Sequence, residues 1–132
     1  MTAPNAATAE RWIVLLAHGS QDARWRQPIE ALVAQLQARA PGLGVALAYL
    51  QFCPPTLEQS LRRCNDLGGI SARVVPVFIS GGGHLLRDVP QAVERAAASV
   101  PKMTVRCSGA LGEEPEVLGA MVAATLRLSE DL

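Results

Sequence analysis

Histidine is scarce in this chain. Its 132 residues hold only two, His18 and His84. Cysteine is nearly as rare: Cys53, Cys64 and Cys107 are odd in number and far apart, and no CxxC pair occurs. That excludes zinc-ribbon and thioredoxin-like readings. A closed structural zinc cage needs about four protein ligands, which two histidines and three scattered thiols do not offer. An excess of charge of one sign is also missing, since 12 Lys and Arg balance 12 Asp and Glu. Nucleic-acid binders carry a basic face, so no nucleic-acid partner is expected. No apolar run is long enough to span a bilayer. The first ten residues lack the basic start and apolar centre of a signal peptide. With the cysteines read as reduced and mostly buried in the core, no membrane partner and a cytoplasmic location are expected. There is no GxxxxGKS phosphate loop, no internal repeat and no low-complexity segment.

What is present is apolar. Hydrophobic residues make up 49% of the chain and charged ones 18%. This predicts one globular domain over residues 11–132, behind a flexible tail at residues 1–10. Strands are expected at 11–17, 45–50, 72–79 and 103–107, and helices at about 24–40, 56–67, 89–99 and 115–128. Pro28 fits a helix only in its first turn, so the first helix could start as late as Gln27. Pro76 is awkward inside a central strand and predicts a bulge or an unpaired edge. Asp88-Val89-Pro90-Gln91 has the form of a capping box with Asp88 as N-cap. In the last helix, Val117, Leu118, Met121, Val122 and Thr125 form the face expected to turn inward. The order βαβαβαβα predicts an α/β fold: one four-stranded parallel sheet with right-handed crossovers and helices on both faces. A doubly wound order 2-1-3-4 would set the first and third strands side by side.

Both histidines sit where a buried strand gives way to a small-residue loop. Trp12 to Ala17 runs into His18-Gly19-Ser20, and Val74 to Ile79 runs into Ser80-Gly81-Gly82-Gly83-His84. Open α/β sheets place their sites at the carboxyl ends of their strands. Neutral imidazole is both a common metal ligand and a proton acceptor near neutral pH. Two such groups would leave a metal's coordination sphere half empty, to be completed by the substrate. A macrocycle with four ring nitrogens completes it, and inserting a divalent metal there releases two N–H protons, which calls for bases beside the metal. His18 and His84 are therefore the candidate metal-binding and catalytic residues. Gly81, Gly82 and Gly83 fit two readings, a tight turn or a nest of N–H donors for a carboxylate or phosphate. Ser20 fits two as well, a substrate contact or the cap of the first helix. Ser80 and Leu85 join the candidate substrate-binding set. Arg24, Arg26 and Arg87 could meet an acidic ligand, although simple solvation is the plainer expectation. Trp25 is expected in the core.

Strand-His18-Gly19-Ser20, strand-Ser80-Gly81-Gly82-Gly83-His84 and the Asp88-Val89-Pro90 helix start together resemble the small, single-domain sirohydrochlorin chelatases of the CbiX type, over roughly Ile13 to Leu128. The resemblance implies a chelatase fold and a homodimer. It implies insertion of Co²⁺ or Fe²⁺, as substrate, into sirohydrochlorin for cobalamin or sirohaem synthesis, with no ATP or other organic cofactor. It carries metal binding and proton acceptance onto His18 and His84. Family members often have a glutamate at the end of the second strand, where this chain has Gln51, and an acidic residue where it has Pro54. An amide neither accepts a proton nor adds negative charge to a metal site. Two other functions compete: a non-catalytic metal carrier using the same histidines, and a phosphoryl-transfer enzyme with His18 as nucleophile. The second lacks the arginine that such enzymes carry before the histidine, since Ala17 stands there.

Overall fold

A computed structural model describes residues 9–80 and 87–132. Four parallel strands, β1 (Arg11–Ala17), β2 (Gly44–Tyr49), β3 (Ser71–Pro76) and β4 (Thr104–Cys107), form one sheet in the order β2-β1-β3-β4. The carboxyl ends of β1 and β3 are thus neighbours, with Leu16 in register with Pro76. Among the described residues, four helices connect and follow the strands: α1 (Ala23–Arg39), α2 (Leu57–Asp66), α3 (Val89–Ala97) and α4 (Pro115–Leu128), the last preceded by a 3₁₀ turn at Leu111–Glu113.

β1 is central, so its side chains are buried on both faces, as its unbroken apolar run requires. Val14 and Leu16 have no exposed surface and face α2 and α3, packing with Leu61, Cys64, Val93 and Ala96. Leu15 and Ala17 point the other way, into a second cluster with Ile29, Leu32 and Leu36 of α1. Burying a leucine such as Leu61 stabilises the fold by about 1.5–3 kcal/mol. Ser60 is the buried polar residue on α2, and its hydroxyl donates to the Leu47 carbonyl at 2.6 Å, tying α2 to β2.

Several element ends differ from expectation, each for a local reason. α1 begins at Ala23, not near Gln27, because Asp22 caps it: the Asp22 carboxylate accepts the Arg24 N–H at 2.9 Å. Pro28 therefore lies inside the helix, at a position where it has no backbone N–H to donate. β3 ends at Pro76, with no bulge; placed last, the proline's missing N–H interrupts no ladder, and Val77 N–H donates onward to Leu16 at 2.8 Å. Asp88 is the N-cap of α3 by position only. Its backbone is already helical and its side chain makes no capping bond, so the expected capping box is absent there. A complete one occurs instead at α2, where Thr56 and Gln59 bond each other's backbone N–H at 3.1 and 2.8 Å. Of the cysteines, Cys64 is buried, Cys53 half-buried and Cys107 exposed, so the last does not belong to the core.

The largest correction concerns α4. Its bounds match expectation, but its apolar face does not turn inward: Leu118 is 59% exposed, Val122 52% and Leu126 67%, and no residue of the helix is buried. Trp25 is likewise not in the core but 77% exposed. Ala9 and Glu10 are held against the sheet, Ala9 by the Trp12 indole N–H at 3.0 Å and Glu10 by the backbone N–H groups of Ile70 and Ser71.

Candidate functional site at the end of β1

β1 delivers His18 to the carboxyl edge of the sheet, where its side chain is exposed. The loop holding it is bound to the loop after β2 by a continuation of the parallel ladder. Leu50 N–H donates to Ala17 at 2.9 Å and Gln51 N–H to His18 at 3.1 Å. Gly19 makes this approach possible. Its φ is +102°, and a Cβ there would overlap the Gln51 carbonyl oxygen.

The His18 ring is oriented from both sides. The Gln51 side-chain nitrogen lies 3.2 Å from Nε2, and the Gly19 carbonyl oxygen 3.3 Å from Nδ1. An amide nitrogen only donates and a carbonyl only accepts. Both contacts are satisfied by one neutral tautomer, with the proton on Nδ1 and the lone pair on Nε2. Phe52 adds a third restraint, its ring tilted 40° to the imidazole with centroids 5.7 Å apart. Phe52 reaches that position with φ +73°, a backbone conformation uncommon for a bulky residue.

Next to His18 opens a cavity of about 430 Å³. Apolar Ala17, Ile29, Leu32 and Val77 line it together with Tyr49, His18, Ser20, Trp25 and Arg26. A mostly apolar cleft with a few polar groups in its lining suits a flat organic ligand. Burial pushes the Tyr49 hydroxyl pKa up, with Cys53 and Glu30 adding to the shift.

The polar candidates divide clearly. The Ser20 hydroxyl accepts the Asp22 N–H at 3.1 Å and so shapes the turn into α1, which Asp22 caps. Arg26 donates to the Ser20 carbonyl at 2.8 Å and braces the same turn. Exposed Arg24 pairs with half-buried Asp22 at 2.8 Å, and that side-chain bond holds the Asp22 carboxyl below the usual carboxylate range. Arg87 is exposed at the other side of the undescribed stretch. Ser80 lies at the exposed end of the segment after β3. Gly81, Gly82, Gly83, His84 and Leu85 fall outside the described residues, so the expected pairing of the two histidines does too. Among the described residues, no three His, Cys, Asp or Glu side chains converge as a metal cluster. No helix among them is long and apolar enough to cross a membrane.

Sequence reasoning missed Phe52 and Tyr49. A positive φ at phenylalanine leaves no mark in composition, and Tyr49 reads as the last core residue of β2. Gln51 was visible as a departure from the chelatase pattern, but not as the partner of the His18 lone pair.

Comparison with known proteins bears on the family and the fold. The CbiX family model matches residues 12–127. The crystal structure of the CbiX protein of Marinobacter aquaeolei VT8 superposes with a TM-score of 0.75 at 32% identity, covering 92% of this chain and 98% of that one. The sirohydrochlorin chelatase SirB of Bacillus subtilis subspecies spizizenii, solved with cobalt, has the same fold, with a TM-score of 0.77 at 23% identity over 89% of this chain and 50% of that one. In sequence, the sirohydrochlorin cobaltochelatase of Methanopyrus kandleri is 29% identical over 79 residues, 60% of this chain and 55% of that protein. The sirohydrochlorin ferrochelatase of Bacillus subtilis is 24% identical over 109 residues, 83% of this chain and 42% of that protein. The chain thus spans about half the length of these two curated relatives. With the family model covering nearly all of its domain, the chain belongs to the CbiX family.

Proposed function

We propose that this protein inserts a divalent metal, Co²⁺ or Fe²⁺, into sirohydrochlorin, acting as a homodimer in the cytoplasm. The observation that carries the reading is the His18 imidazole, oriented by Gln51 and the Gly19 carbonyl beside an apolar cavity at the carboxyl edge of a CbiX-family sheet. Relatives of this chain carry the names sirohydrochlorin cobaltochelatase and ferrochelatase. In the proposed reaction, M²⁺ replaces the two inner pyrrole N–H protons, and two H⁺ leave. His18 binds the ion and, with His84, takes up those protons in turn. The cavity receives the macrocycle, and Trp25 lies against its face. Ser80, Gly81 to Gly83 and Leu85 complete the substrate contacts, while Ser20 acts by shaping the turn. No organic cofactor enters the scheme.

The test is direct. The purified protein is mixed with sirohydrochlorin and Co²⁺ or Fe²⁺, and the macrocycle's absorbance change is followed. Turnover well above the spontaneous rate, lost by at least a hundredfold in His18→Ala and in His84→Ala, is the expected result, in line with removal of a general base. Undiminished turnover in both variants would overturn the mechanism. Metal binding without turnover would favour a metal carrier that uses the same histidines.

A further inference from the structure

Phe52 is an exposed aromatic residue in a backbone conformation that suits glycine. Its φ is +73° and its side chain is 57% exposed. A bulky residue rarely enters this left-handed region, because its Cβ crowds the neighbouring carbonyl. Such strain persists only where the surroundings impose it. The chain on either side of Phe52 is tied down. Gln51 N–H donates to the His18 carbonyl at 3.1 Å, and Tyr49 N–H donates to the Pro55 carbonyl at 2.9 Å. The turn is therefore closed at both ends. Glycine or asparagine would make it at less cost.

Packing does not account for the phenylalanine either. Among the described residues, Leu50 packs against one core cluster and Cys53 against the other, while Phe52 belongs to neither. It is also absent from the lining of the cavity beside His18. Its ring meets the His18 imidazole, with centroids 5.7 Å apart and planes at 40°. Aromatic pairs attract at that separation and tilt.

The three restraints on His18 are not equivalent. Gln51 and the Gly19 carbonyl each engage a ring nitrogen. A cation that binds Nε2 displaces the Gln51 amide and removes that restraint. Phe52 touches the ring without using a lone pair, so its contact persists while a metal is bound. A metal-ligating imidazole needs a neighbour that fixes its orientation.

We propose that Phe52 is a positioning residue: its ring keeps the His18 imidazole in one rotamer once a metal ion has displaced Gln51. Its consequence for turnover rests on the chelatase reading above. The orientation of the imidazole is tested without metal. Gln51→Ala removes the amide as an arriving cation would, and three-bond couplings to His18 Cγ report the rotamer by NMR. One rotamer is expected in Gln51→Ala and rotamer averaging in Gln51→Ala/Phe52→Gly. A single rotamer should return in Gln51→Ala/Phe52→Tyr. Phe52→Asn, which tolerates the same φ, replaces the glycine variant if that loosens the loop. Averaging already present in Gln51→Ala, or one rotamer kept after loss of the ring, would overturn the proposal. In turnover, Phe52→Gly should lower kcat by about tenfold through the lost ordering of one side chain. KM for sirohydrochlorin and the urea midpoint should not worsen, and Phe52→Tyr should restore kcat. A raised KM at unchanged kcat would make Phe52 a macrocycle contact and contradict the positioning role. The expected rotamers in a protein without turnover would sink the chelatase reading and leave Phe52's role standing. Turnover with the opposite rotamer result would do the reverse.

Discussion

The side-chain nitrogen of Gln51 stands 3.2 Å from Nε2 of His18, and the Gln51 backbone N–H donates to the His18 carbonyl at 3.1 Å. One residue thus fixes both the backbone and the lone pair of the proposed metal ligand. An arriving cation has to displace the amide from Nε2. A carboxylate at the same place would instead add a negative charge beside the ion.

Gln51→Glu is therefore expected to tighten Co²⁺ binding by about tenfold, roughly 1.4 kcal/mol, a value kept small because the site is exposed and screened. Calorimetric titration of both proteins with Co²⁺ measures it. An unchanged or weaker affinity would show that Gln51 does not face the ion.

Trp25 lines the cavity yet is 77% exposed and contributes little to the core. Trp25→Ala should leave the urea midpoint nearly unchanged, within about 0.5 kcal/mol. The KM for sirohydrochlorin should rise by about tenfold, as expected for a lost stacking face. A destabilised protein with normal KM would assign Trp25 to packing.

The capping box of α2 lies away from the site and gives a stability prediction free of chemistry. Thr56→Ala removes the acceptor of the Gln59 N–H and should cost about 1 kcal/mol in urea unfolding, with turnover unaltered.

Cys64 predicts how stability varies with pH. Burial pushes its thiol up to about 12 from an ordinary 9.0. The folded state thus favours the protonated form. The stabilisation is fully present below 9.0 and is lost as pH rises toward 12, because only the unfolded chain gains by ionising first. The urea midpoint should therefore fall as the pH rises from about 9 toward about 12. In Cys64→Ala the fall should be shallower, with a remainder from Tyr49, whose pKa burial also raises. An equally steep fall in the variant would mean that Cys64 does not set it.

Much of this fold is legible in residue order. Strand-end histidines and the alternation of strand and helix follow from the apolar runs, whereas the β2-β1-β3-β4 order is in sequence only the doubly wound arrangement that would set the two histidines side by side, and the structure supplies it. What sequence reading lacked was context. The stripe on α4 shows that Leu118 and Val122 need a cover but does not say which surface provides it. Trp25 reads as core by composition, although its place on α1 turns it outward. Asp22 and Asp88 look alike as caps. Only Asp22 has the extended backbone that lets its carboxylate reach back to an N–H. The Gln51 contact depends on the register of β1 with β2, which fixes Ala17 opposite Tyr49 and thereby the two loops beyond them.

The central claim is that His18 and His84 hold one ion between them. Anomalous scattering from a cobalt-soaked crystal tests it most directly. The account predicts a single cobalt peak about 2.1 Å from a nitrogen of each imidazole, the ordinary metal–imidazole distance. Cobalt bound to one histidine alone, or away from both, would contradict it.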